Sequence, residues 1–281
     1  MRVLITGSTG QLGKAAAEVF FKENIDVYPI PHSRLDISNR EEVRKMLTAY
    51  LPDIVINCAA FTDVDGCEKE PERAYRVNAI GPKNLTIISE KLNIFLIHIS
   101  TDYVFDGKKD SPYIEFDTPN PVNIYGKSKL EGENFVKAFS KHYAIVRTSW
   151  LYGDGNNFVT KIIEKARITK EIQVVEDQFG SPSYTYDVAK AILSIARNNA
   201  YGIYHTANTG VTSRYEEARF ILKYLSFNAD VIPVKTEEYI LPAVRPGYTP
   251  LENYLLKLED IYNMRSWQEA MEEFLKKEMI K

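Results

Sequence analysis

Short, continuously apolar runs rich in β-branched residues recur along the chain: RVLITG (2–7), DVYPI (26–30), DIVINCA (53–59), FLIHIS (95–100), YAIVRTS (143–149), IQVVED (172–177) and GIYHTAN (202–208). Unbroken apolar runs of this length are what a strand buried on both faces requires. The stretches between them, such as QLGKAAAEVFFKE (11–23), REEVRKMLTAY (40–50), PERAYRVNAIGPKNLTIISEKL (71–92) and YDVAKAILSIARN (186–198), place apolar residues at helical spacing. Strand and helix in alternation predict an α/β chain with a doubly wound parallel sheet, helices on both faces. Beyond about residue 210 the pattern turns helix-rich, with SRYEEARFILKYL (213–225) and SWQEAMEEFLKKE (266–278) separated by the proline-bearing loop LPAVRPGYTPLEN (241–253). The expected division is a nucleotide-binding domain over 1–150 and a smaller, mainly substrate-binding lobe over 151–281. The runs at 172–177 and 202–208 are expected to return to the main sheet. No Ser/Gly linker, low-complexity tract or internal repeat marks a boundary.

The first strand leads into GSTGQLG, which sets Gly7, Gly10 and Gly13 at a strand–turn–helix junction. Glycines there permit a tight turn, let the backbone approach a pyrophosphate and let the helix pack closely on the strand, while the helix N-terminus offers free N–H groups to phosphate. Gly7, Gly10, Gln11, Leu12 and Gly13 are therefore candidate cofactor contacts in a Rossmann-type fold. The GxxGxxG spacing differs from the commoner GxGxxG. About 20 residues past the last glycine, where a ribose-binding acid is expected, Ser33 and Arg34 stand instead. Arg34 would welcome a 2′-phosphate and points to NADPH, with NADH as the alternative; a surface arginine is the plain reading. Asp36, followed by Ile37, has two readings, a cap for the next helix or a contact near the adenine. The third run ends in NCAAFT, where small residues let a ligand approach, so Ala60, Phe61 and Thr62 are further candidates.

The fourth run ends in Ser100, Thr101 and Asp102, and Tyr125 follows in NIYGKSKLEGE (123–133). Residues four apart on a helix share a face, whereas residues two apart point about 200° from each other. Lys129 can thus share a site with Tyr125, and Lys127 faces solvent. A phenol titrates near 10, and an ammonium about 5 Å away at an effective dielectric near 20 contributes on the order of 3 kcal/mol towards its ionisation. With 18 tyrosines in 281 residues, the spacing alone arises about once or twice by chance. Its second occurrence, Tyr186 with Lys190, follows no strand ending in Ser/Thr and is read as structural.

The composition, 44% hydrophobic with a net charge of −3, gives a globular chain without the basic excess of a nucleic-acid or anionic-membrane binder. Cys58 and Cys67 fall into neither a disulfide framework nor a zinc pattern. No apolar run approaches a membrane span and residues 1–7 lack the pattern of a signal peptide, so a cytoplasmic location is expected.

The N-terminal GxxGxxG, the strand ending in Ser-Thr and YxxxK together resemble the extended short-chain dehydrogenase/reductase superfamily. STDYVFDG, YGKSKLEGE, RTSWLYG, NNF and DQFGSPSYT, in that order, resemble the dTDP-4-dehydrorhamnose reductase family over the whole chain. That resemblance implies NAD(P)H-dependent reduction of the 4-keto group of dTDP-4-dehydro-6-deoxy-L-mannose to dTDP-L-rhamnose, a donor for cell-surface polysaccharide. It implies Tyr125 as general acid, Lys129 on the nicotinamide ribose lowering the tyrosine pKa, and Thr101 orienting the carbonyl. It further implies Asp102 and Trp150 against the sugar nucleotide and Arg245 on its diphosphate. Some relatives hold Mg²⁺ at a dimer contact through an acid at the position of Ala15, so no metal is expected here, while a homodimer is left open. After VRP the chain reads GYTPLEN where relatives carry an Asn/Ser-Arg-Leu run. Two alternatives remain: a binding subunit like the regulatory subunit of methionine adenosyltransferase, and an epimerase or dehydratase with tightly held NAD. The dehydratase is weakened because Tyr103, not Glu, follows Asp102.

Overall fold

Six strands, β1 (Arg2–Thr6), β2 (Asp26–Ile30), β3 (Ile54–Asn57), β4 (Phe95–Thr101), β5 (Tyr143–Thr148) and β6 (Gly202–His205), form one parallel sheet in the order β6-β5-β4-β3-β1-β2. The structure is a computed structural model and describes residues 1–280. Helices α1 (Gln11–Lys22) and α5 (Thr185–Asn198) cover one face, meeting Val3 and Ile5 of β1 through Ala16, Phe20, Val188 and Ile192. Helices α2 (Arg40–Tyr50), α3 (Gly81–Lys91) and α4 (Ile124–Phe139) cover the other, where Leu4 meets Val43, Leu47, Leu85 and Val136. Because β1 is buried on both sides, its run is apolar without alternation. Each such Leu, Ile or Val stabilises the fold by roughly 1.5–3 kcal/mol on burial. The chain leaves β1 for β2 in one direction and returns past it to β3 in the other. That reversal opens a crevice at the carboxyl ends of β1 and β3, where ligands of open α/β sheets bind.

Gly202–His205 pairs with β5 in the main sheet. The run at 172–177 does not join it: Glu171–Val175 pairs in parallel with Asp230–Val234 as a separate two-stranded sheet of the lobe. The physical reason is that only Ile172 and Val174 are buried while Glu171 and Gln173 are exposed, so this strand has one dry face and suits a lobe surface. Its dry face packs in a second core with helix Phe158–Ile168, α6 (Arg214–Tyr224) and α7 (Trp267–Ile280).

The stretch of helical spacing over 71–92 is not one continuous helix. Helix Pro71–Tyr75 passes through a π-turn, Arg76–Ile80, before α3 begins. Pro82 has no N–H to give to the carbonyl of Asn78, so the regular ladder cannot run through. Among the described residues no helix is long and apolar enough to cross a membrane.

Candidate active site

The crevice is a cleft of about 590 Å³ running from the glycine turn to the lobe. At its first end Gly7 takes φ +64°, and a Cβ there would sit 2.6 Å from the Ala59 nitrogen; at Gly13 it would sit 2.3 Å from the Gly7 oxygen. No side chain caps α1 and its first turn holds no acid, so its N–H groups face the cleft unpaired by side chains. This cradle and uncapped terminus fit a dinucleotide pyrophosphate. The strand ends are wired together beneath it. Thr6 Oγ1 donates to Asn57 Oδ1 (2.7 Å), which also accepts the Ala59 N–H (3.2 Å), and Asn57 Nδ2 donates to His98 Nδ1 (3.0 Å). His98 is therefore neutral, as its burial also dictates.

Tyr125 stands one residue into α4, half-buried in the cleft wall. Asn123 caps the helix by accepting the Gly126 N–H at 2.8 Å and donates its own amide to the Val244 carbonyl at 2.9 Å. Gly126 is obligatory, because a Cβ would lie 2.0 Å from the Tyr103 oxygen. Thr101 sits at the end of β4 and also lines the cleft. Burial drives the Tyr125 phenol well above its ordinary pKa, with a hydrogen bond from Thr101 opposing. Lys129 is buried one turn on and donates from Nζ to the Ile99 carbonyl at 2.6 Å. Burial lowers it to about 8, with Glu133 pulling the other way.

The expected lowering of the phenol by Lys129 is therefore not what this arrangement of the two side chains produces. The ammonium is turned onto a backbone carbonyl, and desolvation dominates both groups. A raised phenol keeps its proton near neutrality, and releasing that proton requires a base or cation to offset the burial. Lys127, between the two, is exposed. Below Lys129, Glu133 accepts from Ser100 Oγ (2.6 Å) and from Arg147 Nε and Nη2 (2.9 and 2.7 Å), all buried. The second Tyr/Lys pair is tied up elsewhere: Tyr186 donates to Glu18, and Lys190 faces Asp187 at 3.9 Å.

Of the sequence-derived candidates, Gly7, Gly10, Gln11, Leu12, Gly13, Asp36, Ile37, Ala60, Phe61, Thr62, Thr101, Asp102, Tyr125, Lys129 and Trp150 line the cleft together. Asp36 accepts Ser38 N–H and Oγ at 2.9 and 2.8 Å, while Asn39 caps α2, so the capping reading of Asp36 falls away. Asp102 accepts from Thr249 (2.6 Å), Ser149 and Thr101 (3.1 Å each), joining sheet to lobe; burial raises it to about 6. Arg34 and Arg245 do not line the cleft. Arg34 is exposed and donates to the Tyr50 hydroxyl at 3.3 Å. Arg245 pairs with Asp65 at 2.8 Å and with the Ala243 carbonyl at 2.9 Å.

Sequence reading missed four contributors. Asn78, on the π-turn, accepts the Phe61 N–H (2.8 Å), donates to the Phe61 carbonyl (3.0 Å) and reaches Ser128 (3.1 Å), fixing the strand-end loop against α4. The Gly81-Pro82 pair inside a helical stretch was the available signal for that turn. Arg73, over the Phe61 ring at 4.4 Å, His32 and Arg214 also line the cleft. A second groove of about 770 Å³, on α6 and the Asp230–Val234 strand, shares no lining residue with it. Among the described residues no group of acids, histidines and cysteines is arranged to hold a metal ion.

A family described as the RmlD substrate binding domain matches residues 1–280. The chain is 40% identical to a dTDP-4-dehydrorhamnose reductase of Mycolicibacterium smegmatis, over 97% of this chain and 84% of that protein. It is also 40% identical to the Bacillus subtilis spore coat polysaccharide biosynthesis protein SpsK, over 98% and 96% of the two chains. A crystal structure of dTDP-4-dehydrorhamnose reductase from Bacillus anthracis in complex with NADP superposes with a TM-score of 0.96 at 44% identity, covering 98% of this chain and 99% of that one.

Proposed function

This chain belongs to the dTDP-4-dehydrorhamnose reductase family, and on that premise we propose that it uses NADPH to reduce the 4-keto group of dTDP-4-dehydro-6-deoxy-L-mannose to dTDP-L-rhamnose. The observation that carries the reading is the convergence of Tyr125, Thr101 and Lys129 in the cleft that begins at an uncapped helix N-terminus.

Gly7, Gly10, Gln11, Leu12 and Gly13 would hold the cofactor's diphosphate, Asp36 and Ile37 its adenosine half, and Ala60, Phe61 and Thr62 the middle of the molecule. When bound, NADPH supplies the hydride that adds to C4. The chain's part is to place and protonate the carbonyl. Thr101, its hydroxyl turned from Asp102, would donate a hydrogen bond to the carbonyl oxygen, and Tyr125 would deliver its phenolic proton to that oxygen as C4 becomes tetrahedral. Lys129, charged below about pH 8, would hold the nicotinamide ribose and stabilise the phenolate left behind. Asp102 and Trp150 would bound the sugar. Two free cysteines suit a reducing cytoplasmic setting, and light scattering would decide whether the chain is a homodimer.

The test is an assay with purified protein, the dTDP-4-keto sugar and NADPH. Wild type should consume one NADPH per sugar reduced, and Tyr125→Phe should lose roughly 10²–10⁴-fold in kcat while its NADPH affinity changes little. Retained turnover in Tyr125→Phe would sink the assigned acid. No oxidation by wild type would favour a binding subunit, and epimerised sugar without net oxidation an epimerase.

A further inference from the structure

Resting on the nucleotide-sugar reading above, we infer that Arg214 is the residue that receives the substrate's diphosphate. A diphosphate entering a cleft that already contains Asp102 needs a compensating cation on the lobe side. Four cationic or titratable basic residues line the cleft: His32, Arg73, Lys129 and Arg214. Lys129 is buried beneath Tyr125 on the Ile99 carbonyl, and Arg73 lies over Phe61 with Glu70 at 3.1 Å, on the cofactor side. His32 follows β2, next to Asp36 at the same end. Arg245, the arginine the family resemblance implied, is paired with Asp65 and does not line the cleft. Arg214 alone comes from the lobe.

Its side chain is built into position. The guanidinium lies 3.5 Å from the Trp150 ring centroid and 4.5 Å from that of Phe158. Trp150 is itself fixed, with φ +45° in the left-handed region and its indole against Gly180, where a Cβ would come within 2.3 Å of the ring. On the buried side, Nη1 donates to Glu217 Oε2 at 2.9 Å, and the Arg214 backbone N–H is taken by the Gln178 carbonyl at 3.2 Å. Nε and Nη2 meet no acceptor among the described residues, and the side chain keeps 19% of its surface exposed. A planar guanidinium stacked on one face and pinned at one nitrogen has little rotamer freedom left to lose. Its remaining edge offers paired donors suited to phosphate oxygens. Tyr103 feels the charges of both Arg245 and Arg214, whereas Asp102 feels that of Arg214, which places Arg214 within electrostatic reach of the sugar end of the cleft.

The experiment compares dTDP with thymidine, which lacks the diphosphate, by calorimetry on the NADP-saturated protein. Wild type should bind dTDP far more tightly than thymidine. Arg214→Met should weaken dTDP by roughly 10- to 100-fold, the worth of hydrogen bonds to a charged group, and leave thymidine and NADPH within about twofold. Arg214→Lys, which keeps the charge and loses the fork, should fall between the two. Should Arg214→Met fail to fold, as seen by melting, the lysine variant carries the comparison. An equal loss of dTDP and thymidine would reduce Arg214 to scaffolding and overturn the inference. Unchanged dTDP binding, or a selective loss in Arg245→Met instead, would also overturn it. Wild type that binds NADPH but neither dTDP nor thymidine would overturn the nucleotide-sugar reading itself.

Discussion

Burial acts on Tyr125 and Lys129 in opposite senses and keeps both nearer neutrality than water would: the phenol stays protonated and the ammonium is weakened to about 8. The sign of the pH dependence follows. A lysine whose pKa is lowered is charged below that value and loses its charge as pH rises through it. If the Lys129 ammonium is needed on the cofactor and beside the phenolate, kcat/KM should hold up to about pH 8 and fall above it. Lys129→Met should lower the rate and abolish that basic limb. A profile flat to about pH 10, the ordinary phenol value, would count against the role of Lys129. The spacing of Tyr125 and Lys129 was legible because helix geometry alone puts i and i+4 on one face. The direction of the ammonium was not, since Ile99 lies 30 positions away in sequence. The pairing of Arg245 was hidden for the same reason, its partner Asp65 being 180 positions distant.

At the scale of elements, the cradle depends on backbone closeness more than on side chains. A methyl at position 13 would meet the Gly7 oxygen at 2.3 Å and the Ser8 Cα at 2.8 Å, both main-chain atoms that cannot swing aside. Gly13→Ala should therefore push α1 off β1 and weaken NADPH binding by at least about tenfold, about 1.4 kcal/mol, measured by calorimetry. Wild-type affinity in that variant would contradict the assigned pyrophosphate site. Four of the runs read as strands sit at the centre of the sheet, where burial on both faces writes itself into the sequence as unbroken apolar residues. The run at 172–177 looked similar because Val174 and Val175 adjoin, yet Glu171 and Gln173 already marked a wet face. The π-turn escaped because apolar periodicity barely changes when one residue is added to a turn, although Pro82 signalled a broken ladder.

For the whole molecule, the charged pair Glu133–Arg147 ties α4 to β5 in the core, with Ser100 of β4 as third partner. Removing one charge strands the other, so Glu133→Gln should cost about 3–5 kcal/mol in a urea melt; a loss under about 1 kcal/mol would mean that solvent reaches the pair. The lobe meets the sheet through Asp102–Thr249, through Trp150 under Arg214, and through Gln11 with Asn157 at 3.2 Å. These contacts join segments distant in the chain, which is why the sequence did not disclose them. Hydride transfer from NADPH to C4 of a dTDP-4-keto sugar is open to test by isotope transfer. With NADPH deuterated at nicotinamide C4, mass and NMR spectra of the product should show one deuterium at sugar C4 and one oxidised cofactor per sugar. Sugar carrying solvent hydrogen at C4, with deuterium and reducing equivalents left on the cofactor, would rule out hydride transfer to the sugar.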